Sequence, residues 1–168
     1  MKIPDGSFSR GVFKVSGTEA IEAKLKELFA DSDVVLAQEY CPTAFDWRIG
    51  VLDGEPLFAC QYLMAKKHWQ IVRHEDGKKS VEGSFKTVPL NEAPLAVMDA
   101  AVRAARLIGN GFYGVDIKET DGRVVVIEVN DNPNLDHGVE DAAEKDIVWD
   151  RLIQWFVRRL DAYYSPGA

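Results

Sequence analysis

Asp116, Glu128 and Asn130 fall within GFYGVDIKETDGRVVVIEVNDNPNL, residues 111–135. Carboxylate and amide oxygens are the donors that Mg²⁺ and Mn²⁺ prefer. The segment reads as a hairpin, so strand alternation decides whether these oxygens can meet. Asp116 and Lys118 take one face of the outgoing strand, and Val115 and Ile117 take the other. On the return strand Glu128 and Asn130 share a face, opposed to Val125, Ile127 and Val129. A two-residue turn at Asp121-Gly122 would set Glu128 opposite Val115 and mix polar with apolar. A loop of three or five residues sets Asp116 opposite Glu128 and Ile117 opposite Ile127, giving one apolar face and one carrying all three oxygens. The pattern therefore predicts an odd loop, with Gly122 available for a bulge, followed by the rigid turn Asp131-Asn132-Pro133-Asn134. A single acid on such a strand reads as a solvated polar face; three ligand types in register read as a metal site.

The elements that must hold this hairpin can be followed along the chain. Residues 12–15 and 33–39 read as short strands around a helix for which Thr18 is a plausible N-cap; its apolar positions are Ile21, Leu25, Leu28 and Phe29. From Phe45 onward the pattern becomes antiparallel. Asp53-Gly54 marks a tight turn between apolar runs, and residues 69–72 and 85–88 read as further strands around the turn-rich stretch 75–78. Asn91 is read as the cap of a helix with Leu95, Val102 and Leu107 on its apolar face, ended by Gly109 and Gly111. A last helix spans about 142–164, with Ile147, Leu152, Trp155, Phe156 and Leu160 along one side. Asp46 and Arg48 stand two apart and share a strand face, opposite Trp47 and Ile49; a surface ion pair is the simpler reading of the two.

Composition narrows the function classes. The chain has 168 residues, 46% hydrophobic and 28% charged, an ordinary globular mixture. Its formal net charge of −7 opposes general nucleic-acid binding, which needs clustered Lys and Arg. No apolar run reaches about 18 residues, and the N-terminus lacks a signal-peptide pattern, so a cytoplasmic protein without a membrane span is expected. Cys41 and Cys60 are expected as two buried thiols rather than a disulfide. No GxxxxGK[ST], HExxH or GxSxG motif is present. His68 and His74 do not have zinc spacing, and Lys66-Lys67 reads as a solvated turn.

GVDIK followed by VIEVNDNPNL resembles the metal-binding end of the ATP-grasp superfamily. The stretch also fits the RimK-like branch, similar to glutathione synthetases and to ligases that extend peptides with glutamate. KIPDGSFSRGV, LAQEY and FDWRIGVL agree in order and spacing. The resemblance implies an α+β ATP-grasp fold: an incomplete first lobe over residues 1–41 and an antiparallel-sheet lobe with helices over 42–168. ATP would lie between the lobes, with the loop containing Gly6, Ser7, Ser9 and Gly11 folding over its phosphates. Lys2 would contact phosphate, and Gln38, Glu39 and Tyr40 would meet adenine through main-chain groups. Asp46 is counted with the nucleotide-binding residues. Arg48 would steady the transferring phosphate, and Asp116, Glu128 and Asn130 would hold Mg²⁺ or Mn²⁺.

The implied reaction joins an amino-acid or peptide carboxylate to an amine. The carboxylate is phosphorylated by ATP to an acyl phosphate, which the amine then attacks. A homo-oligomer is left open. The sequence also departs from the resemblance. The earlier part of the nucleotide lobe is not in this sequence, so the chain alone is expected to be inactive, and a nucleotide- or metal-binding module without ligase activity is the alternative. Lys86 keeps a basic charge, but Val88 stands where these ligases carry Asn. NLDHGVED replaces their small Gly-rich turn, where Asp136 and His137 could touch substrate.

Overall fold

The computed structural model describes residues 1–4, 11–65, 69–73 and 81–165. The chain forms two compact units, Met1–Pro42 with Met64–Gly83, and Thr43–Leu63 with Ser84–Ala168. The expected division at residue 41/42 falls near the first boundary, but residues 64–83 group with the N-terminal unit, which a linear division does not anticipate.

In the first unit, Lys2 bridges Val12 and Leu36, with Lys2 N–H donating to Leu36 O at 2.9 Å and Leu36 N–H returning to Lys2 O at 2.8 Å. The strands expected at 12–15 and 33–39 are reduced to these single bridges. Helix α1 spans Thr18–Leu28 and is preceded by Gly17 at φ 86°, with no side-chain cap, so Thr18 opens the helix rather than capping it. A φ in this range suits glycine, which supplies the turn that a hydroxyl cap would otherwise organise. Strands β3 (Val72–Arg73) and β4 (Val81–Glu82) pair antiparallel. Residues 66–68 and 74–80, with His68, His74, Lys66, Lys67 and the turn at 75–78, lie outside the described residues.

The second unit is built on a five-stranded sheet. Strands β1 (Phe45–Leu52), β2 (Glu55–Leu63), β5 (Phe85–Val88), β6 (Phe112–Thr120) and β7 (Arg123–Asn130) lie in the order β5-β2-β1-β6-β7, with every neighbour antiparallel. The β1–β2 turn is Asp53-Gly54, both at positive φ (52° and 77°), as its Asp-Gly signal predicts. Trp47, Ile49, Val51, Ala59, Val88, Val115 and Ile117 form a core with Val97, Ala101 and Ala105 of helix α2 (Leu95–Arg106).

That helix is preceded by Pro94 rather than capped by Asn91, and its buried stripe is 97-101-105. Leu95 is 80% and Leu107 90% exposed, contrary to the expected face. Leu95 sits in the first turn and Leu107 at the C-cap, so neither lies over the sheet; the small alanines do, and they allow close packing. Helix α3 spans Asp146–Tyr164 and begins four residues later than expected, after turns over 137–145. Val148 and Trp155 are buried against Leu52, Leu57, Phe58 and Cys60, with Leu152 beside them, while Ile147, Phe156 and Leu160 are at least half exposed. Arg151 Nη1 donates to Pro56 O at 2.9 Å, and Arg159 Nη1 to Asn110 O at 3.0 Å, fixing α3 against the sheet's end.

Both cysteines are free; Cys60 is buried as expected, but Cys41 is half-buried. No described helix is long and apolar enough to cross a membrane.

Candidate functional site

The β6–β7 hairpin closes at Thr120 opposite Arg123, so its loop has two residues, Asp121 at φ 49° and Gly122 at φ 72°. The odd-loop expectation is wrong, and Ile117 lies opposite Val126 rather than Ile127. Positive φ at both positions is what an Asp-Gly turn of this type requires, and its twist matches the strands. Further along, the register shifts between Asp116 and Ile117, with Ile127 as the extra residue on β7. Beyond this bulge Asp116 faces Glu128, Val115 faces Val129 and Gly114 faces Asn130. One unpaired residue restores the parity that the turn had broken. The parity reading made the site depend on an odd loop; the fold has an even loop and brings the three residues to one face by an extra residue at Ile127 instead.

Asp116 and Glu128 then continue a cross-sheet row with Arg48 of β1, which pairs with Asp116 in the backbone register. Arg48 grips Asp116 at both oxygens, Nε to Oδ1 and Nη2 to Oδ2, the latter at 2.9 Å. Asn130 Nδ2 donates to Gly114 O at 3.2 Å and reaches Asp116 Oδ2 at 3.4 Å. The Arg48 and Asp116 side chains are 19% and 16% exposed, shielded yet reachable. Burial pushes the Asp116 carboxyl above the usual carboxylate range; Arg48's charge and hydrogen bonds pull it back, and Glu128 and Asp46 push it up again. Burial disfavours the Arg48 cation, but the charge and hydrogen bonds of Asp116 outweigh that and raise its pKa further. The bidentate geometry calls for an acceptor-only carboxylate, so the pair is ionised.

Asp46 shares this face with Arg48, but its partners are Lys118, whose ammonium it accepts from, and Thr43, whose hydroxyl donates to it at 2.8 Å. The alternative of an Asp46–Arg48 surface ion pair is not realised; the structure forms two cross-strand pairs instead, Arg48–Asp116 and Lys118–Asp46. Gly114 explains how the segment after the hairpin reaches this face. A Cβ there would lie 2.6 Å from Pro133 Cβ and 3.1 Å from Arg48 Cδ, so only glycine admits the turn of residues 131–134 beside the arginine.

Sequence reasoning missed Tyr62 on β2 and several groups in the turns over 137–145. Tyr62 donates its hydroxyl to Glu140, which is 1% exposed and also accepts the Asp136 N–H at 2.7 Å. Burial, then the Glu140 hydrogen bond, pushes the Tyr62 phenol well above its ordinary value. Asp141 accepts from Trp149 Nε1 at 2.7 Å and Gly138 N–H at 2.6 Å, and holds His137 Nδ1 at 2.8 Å. These contacts, the Trp149 bond foremost, pull its carboxyl down to about 2. Tyr62 could have been found by alternation, since it falls four residues after Phe58 on the same face. Glu140 and Asp141 carry no periodic signal because they sit in turns. Burial also pushes the Cys60 thiol up to about 12.

In the first unit, Lys2 makes main-chain bridges, while Gln38, Glu39 and Tyr40 are exposed and outside regular structure. Lys14 Nζ stands 3.5 Å over the Tyr40 ring, and Trp69 meets that ring edge-on at 6.0 Å. Gly11 has φ 71°, and Gly6, Ser7 and Ser9 lie outside the described residues. Lys86 is exposed, whereas Val88 is built into the α2-side core.

Among the described residues no three His, Cys, Asp or Glu side chains form a metal cluster. The expected set has two carboxylates and one amide. That suits Mg²⁺, which keeps several waters and is held by one or two carboxylates together with substrate phosphates. The donor chemistry therefore fits the ion.

Residues 2–152 match the model of the ATP-grasp domain, R2K clade family 3, and the chain belongs to that family. It is 30% identical over 149 residues to a probable alpha-L-glutamate ligase of Alcanivorax borkumensis, covering 88% of this chain and 46% of the relative. A second protein of that name, from Syntrophotalea carbinolica, is 27% identical across 99% of this chain and 51% of its own length. The chain thus spans about half the length of the curated relatives it matches. D-alanine–D-alanine ligase from Bacillus anthracis superposes with a TM-score of 0.62 at 18% identity, over 94% of this chain and 53% of that one. Its ATP complex gives 0.61 at 17%, over 89% and 51%. These likenesses establish the α+β ATP-grasp fold.

Proposed function

We propose that this chain carries the metal-binding and phosphoryl-transfer face of an ATP-dependent carboxylate–amine ligase that uses glutamate. The observation that carries this reading is the bulge at Ile127, which sets Asp116 opposite Glu128 with Asn130 on the same face, in one row with Arg48. The extra residue turns two ligand-type side chains toward a bidentate arginine and at the same time returns Val129 to the α2-side core. The family match and the relatives' names support ATP as the phosphoryl donor and glutamate as a substrate.

Asp116, Glu128 and Asn130 would hold Mg²⁺, or Mn²⁺, which when bound neutralises phosphate charge. Asp116 has about four lone-pair positions, so Arg48 can keep its grip while the carboxylate also takes a ligand. Arg48 presents further N–H donors toward the phosphoryl group in transfer, where preorganised charge lowers the barrier. A substrate carboxylate attacks the γ-phosphorus and ADP leaves. An amine nitrogen then attacks the acyl carbon, losing a proton as phosphate departs, and an amide forms. In the first unit, Lys2, the loop with Gly6, Ser7, Ser9 and Gly11, and the main chain at Gln38, Glu39 and Tyr40 are assigned to the nucleotide. In the second unit, Asp46 is assigned to nucleotide binding and accepts from Lys118. Asp136 and His137 are assigned to the substrate side.

Calorimetric titration with Mg²⁺ and AMP-PNP tests the site: wild type binds, and Asp116→Asn and Glu128→Gln abolish or strongly weaken binding. Equal binding by the variants contradicts the assignment. The alternative reading is a nucleotide- and metal-binding module without ligase activity. ADP release by this chain that depends on both glutamate and an amine acceptor would support the ligase reading and overturn the expectation that the chain alone is inactive.

A further inference from the structure

We infer that Tyr62 and Glu140 are positioning residues for Arg48, holding its guanidinium in the orientation needed at the transferring phosphoryl group; this rests on the role proposed above for Arg48. The Arg48 guanidinium carbon lies 5.7 Å from the centre of the Tyr62 ring, within the range in which a cation is attracted to an aromatic face. The ring in turn is fixed. Its hydroxyl donates to Glu140 Oε1, and Glu140 Oε2 accepts the Asp136 N–H at 2.7 Å.

A carboxylate that is 1% exposed costs a great deal to bury unless its hydrogen bonds are made, and here both oxygens are engaged. Tyr62 lies on β2 opposite Asp46, one position diagonal from Arg48, so the ring flanks the guanidinium from the side away from β6. Asp116 holds the arginine from β6. The guanidinium is thus gripped at two edges by two different devices, a charge pair and a locked aromatic ring.

The same lock ties the segment after the metal hairpin to the sheet. Thr87 Oγ1 donates to Val139 O, next to Glu140, and Leu135 packs into the α3-side cluster. Tyr62 and Glu140 therefore couple Arg48 to the segment bearing Asp136 and His137. Loss of the Tyr62 hydroxyl frees the ring to tilt and gives the guanidinium more orientations, without removing its charge.

The test compares two ligands on the 168-residue chain. AMP-PNP with Mg²⁺ represents the ground state, and ADP with Mg²⁺ and aluminium fluoride represents the phosphoryl group in transfer. Tyr62→Phe and Glu140→Gln are expected to lose roughly tenfold in affinity for the fluoride complex, while AMP-PNP affinity changes by less than about twofold. On an Arg48→Lys background the same Tyr62→Phe substitution is expected to add no further loss, because its effect runs through the arginine. Equal losses for both ligands, no loss for either, or full additivity with Arg48→Lys would overturn the inference. If Glu140→Gln does not fold, Tyr62→Phe alone decides, together with the Arg48 Nε–H resonance. That signal is expected to exchange faster with solvent in Tyr62→Phe, and an unchanged rate counts against positioning. Failure of the wild-type chain to bind either ligand would instead overturn the nucleotide reading of the site.

Discussion

The two faces of the five-stranded sheet use neighbouring residues for opposite purposes. Toward α2, Trp47, Ile49, Val51, Val115 and Ile117 are 3% exposed or less and touch one another and the alanine stripe. One residue along each strand, Arg48 and Asp116 are charged, 16–19% exposed and held by each other. The apolar face gains from every contact it makes. The Arg48–Asp116 pair gains little net, because desolvation of the ions offsets much of their attraction. Around Arg48 and Asp116, strand alternation thereby separates the charged row from the α2-side core, and the bulge at Ile127 keeps the separation intact where the Asp-Gly turn alone would have crossed it.

The largest effect is expected on the apolar face. Ile117→Ala should lower unfolding free energy by about 3 kcal/mol, read by urea denaturation, with Mg²⁺–AMP-PNP affinity of the folded protein unchanged. A loss of affinity in step with stability would show that the two faces are not separable. On the charged face, Asp116→Asn should cost about 2 kcal/mol by leaving Arg48 half-buried without its counter-charge, and Arg48→Met with Asp116→Leu should recover most of it while abolishing nucleotide binding. If the double variant is as unstable as the single one, the pair contributes more than its desolvation removes.

A smaller effect concerns the segment covering the charged face. The Asp141 carboxyl sits at about 2, below its value in an unfolded chain near 3.9. Its contribution to stability is therefore fully present above about pH 4 and is lost as pH falls through about 2. The advantage of wild type over Asp141→Asn should stay constant from pH 7 to about 4.5 and shrink toward pH 2, measured by denaturation at each pH. A constant advantage across that range would mean that the Trp149, Gly138 and His137 contacts do not depend on the charge.

Much of this contrast was legible in the sequence. Alternation placed Arg48 with Asp46 and against Trp47 and Ile49, and the Asp53-Gly54 turn and β5 lie where their patterns put them. The face-sharing of Asp116, Glu128 and Asn130 was also readable, although its device was not. Turn chemistry follows local residues, but a bulge can sit anywhere along a strand, so parity alone could not choose between Gly122 and Ile127. Helix faces failed where large apolar residues at the ends of α2 outweighed the alanines that meet the sheet. Glu140 and Asp141, the partners of Tyr62 and Trp149, lie in turns over 137–145, where no periodicity exists to read.

The central claim is that the bulged hairpin presents Asp116, Glu128 and Asn130 as one metal-binding face. Paramagnetic broadening of backbone and side-chain resonances by Mn²⁺ in the presence of AMP-PNP measures this directly. The account predicts that Asp116, Glu128 and the Asn130 amide broaden first and together, and that Val115, Ile117 and Val129 on the opposite face broaden less. Broadening centred elsewhere on the sheet, or of Glu128 without Asp116 and Asn130, would contradict it.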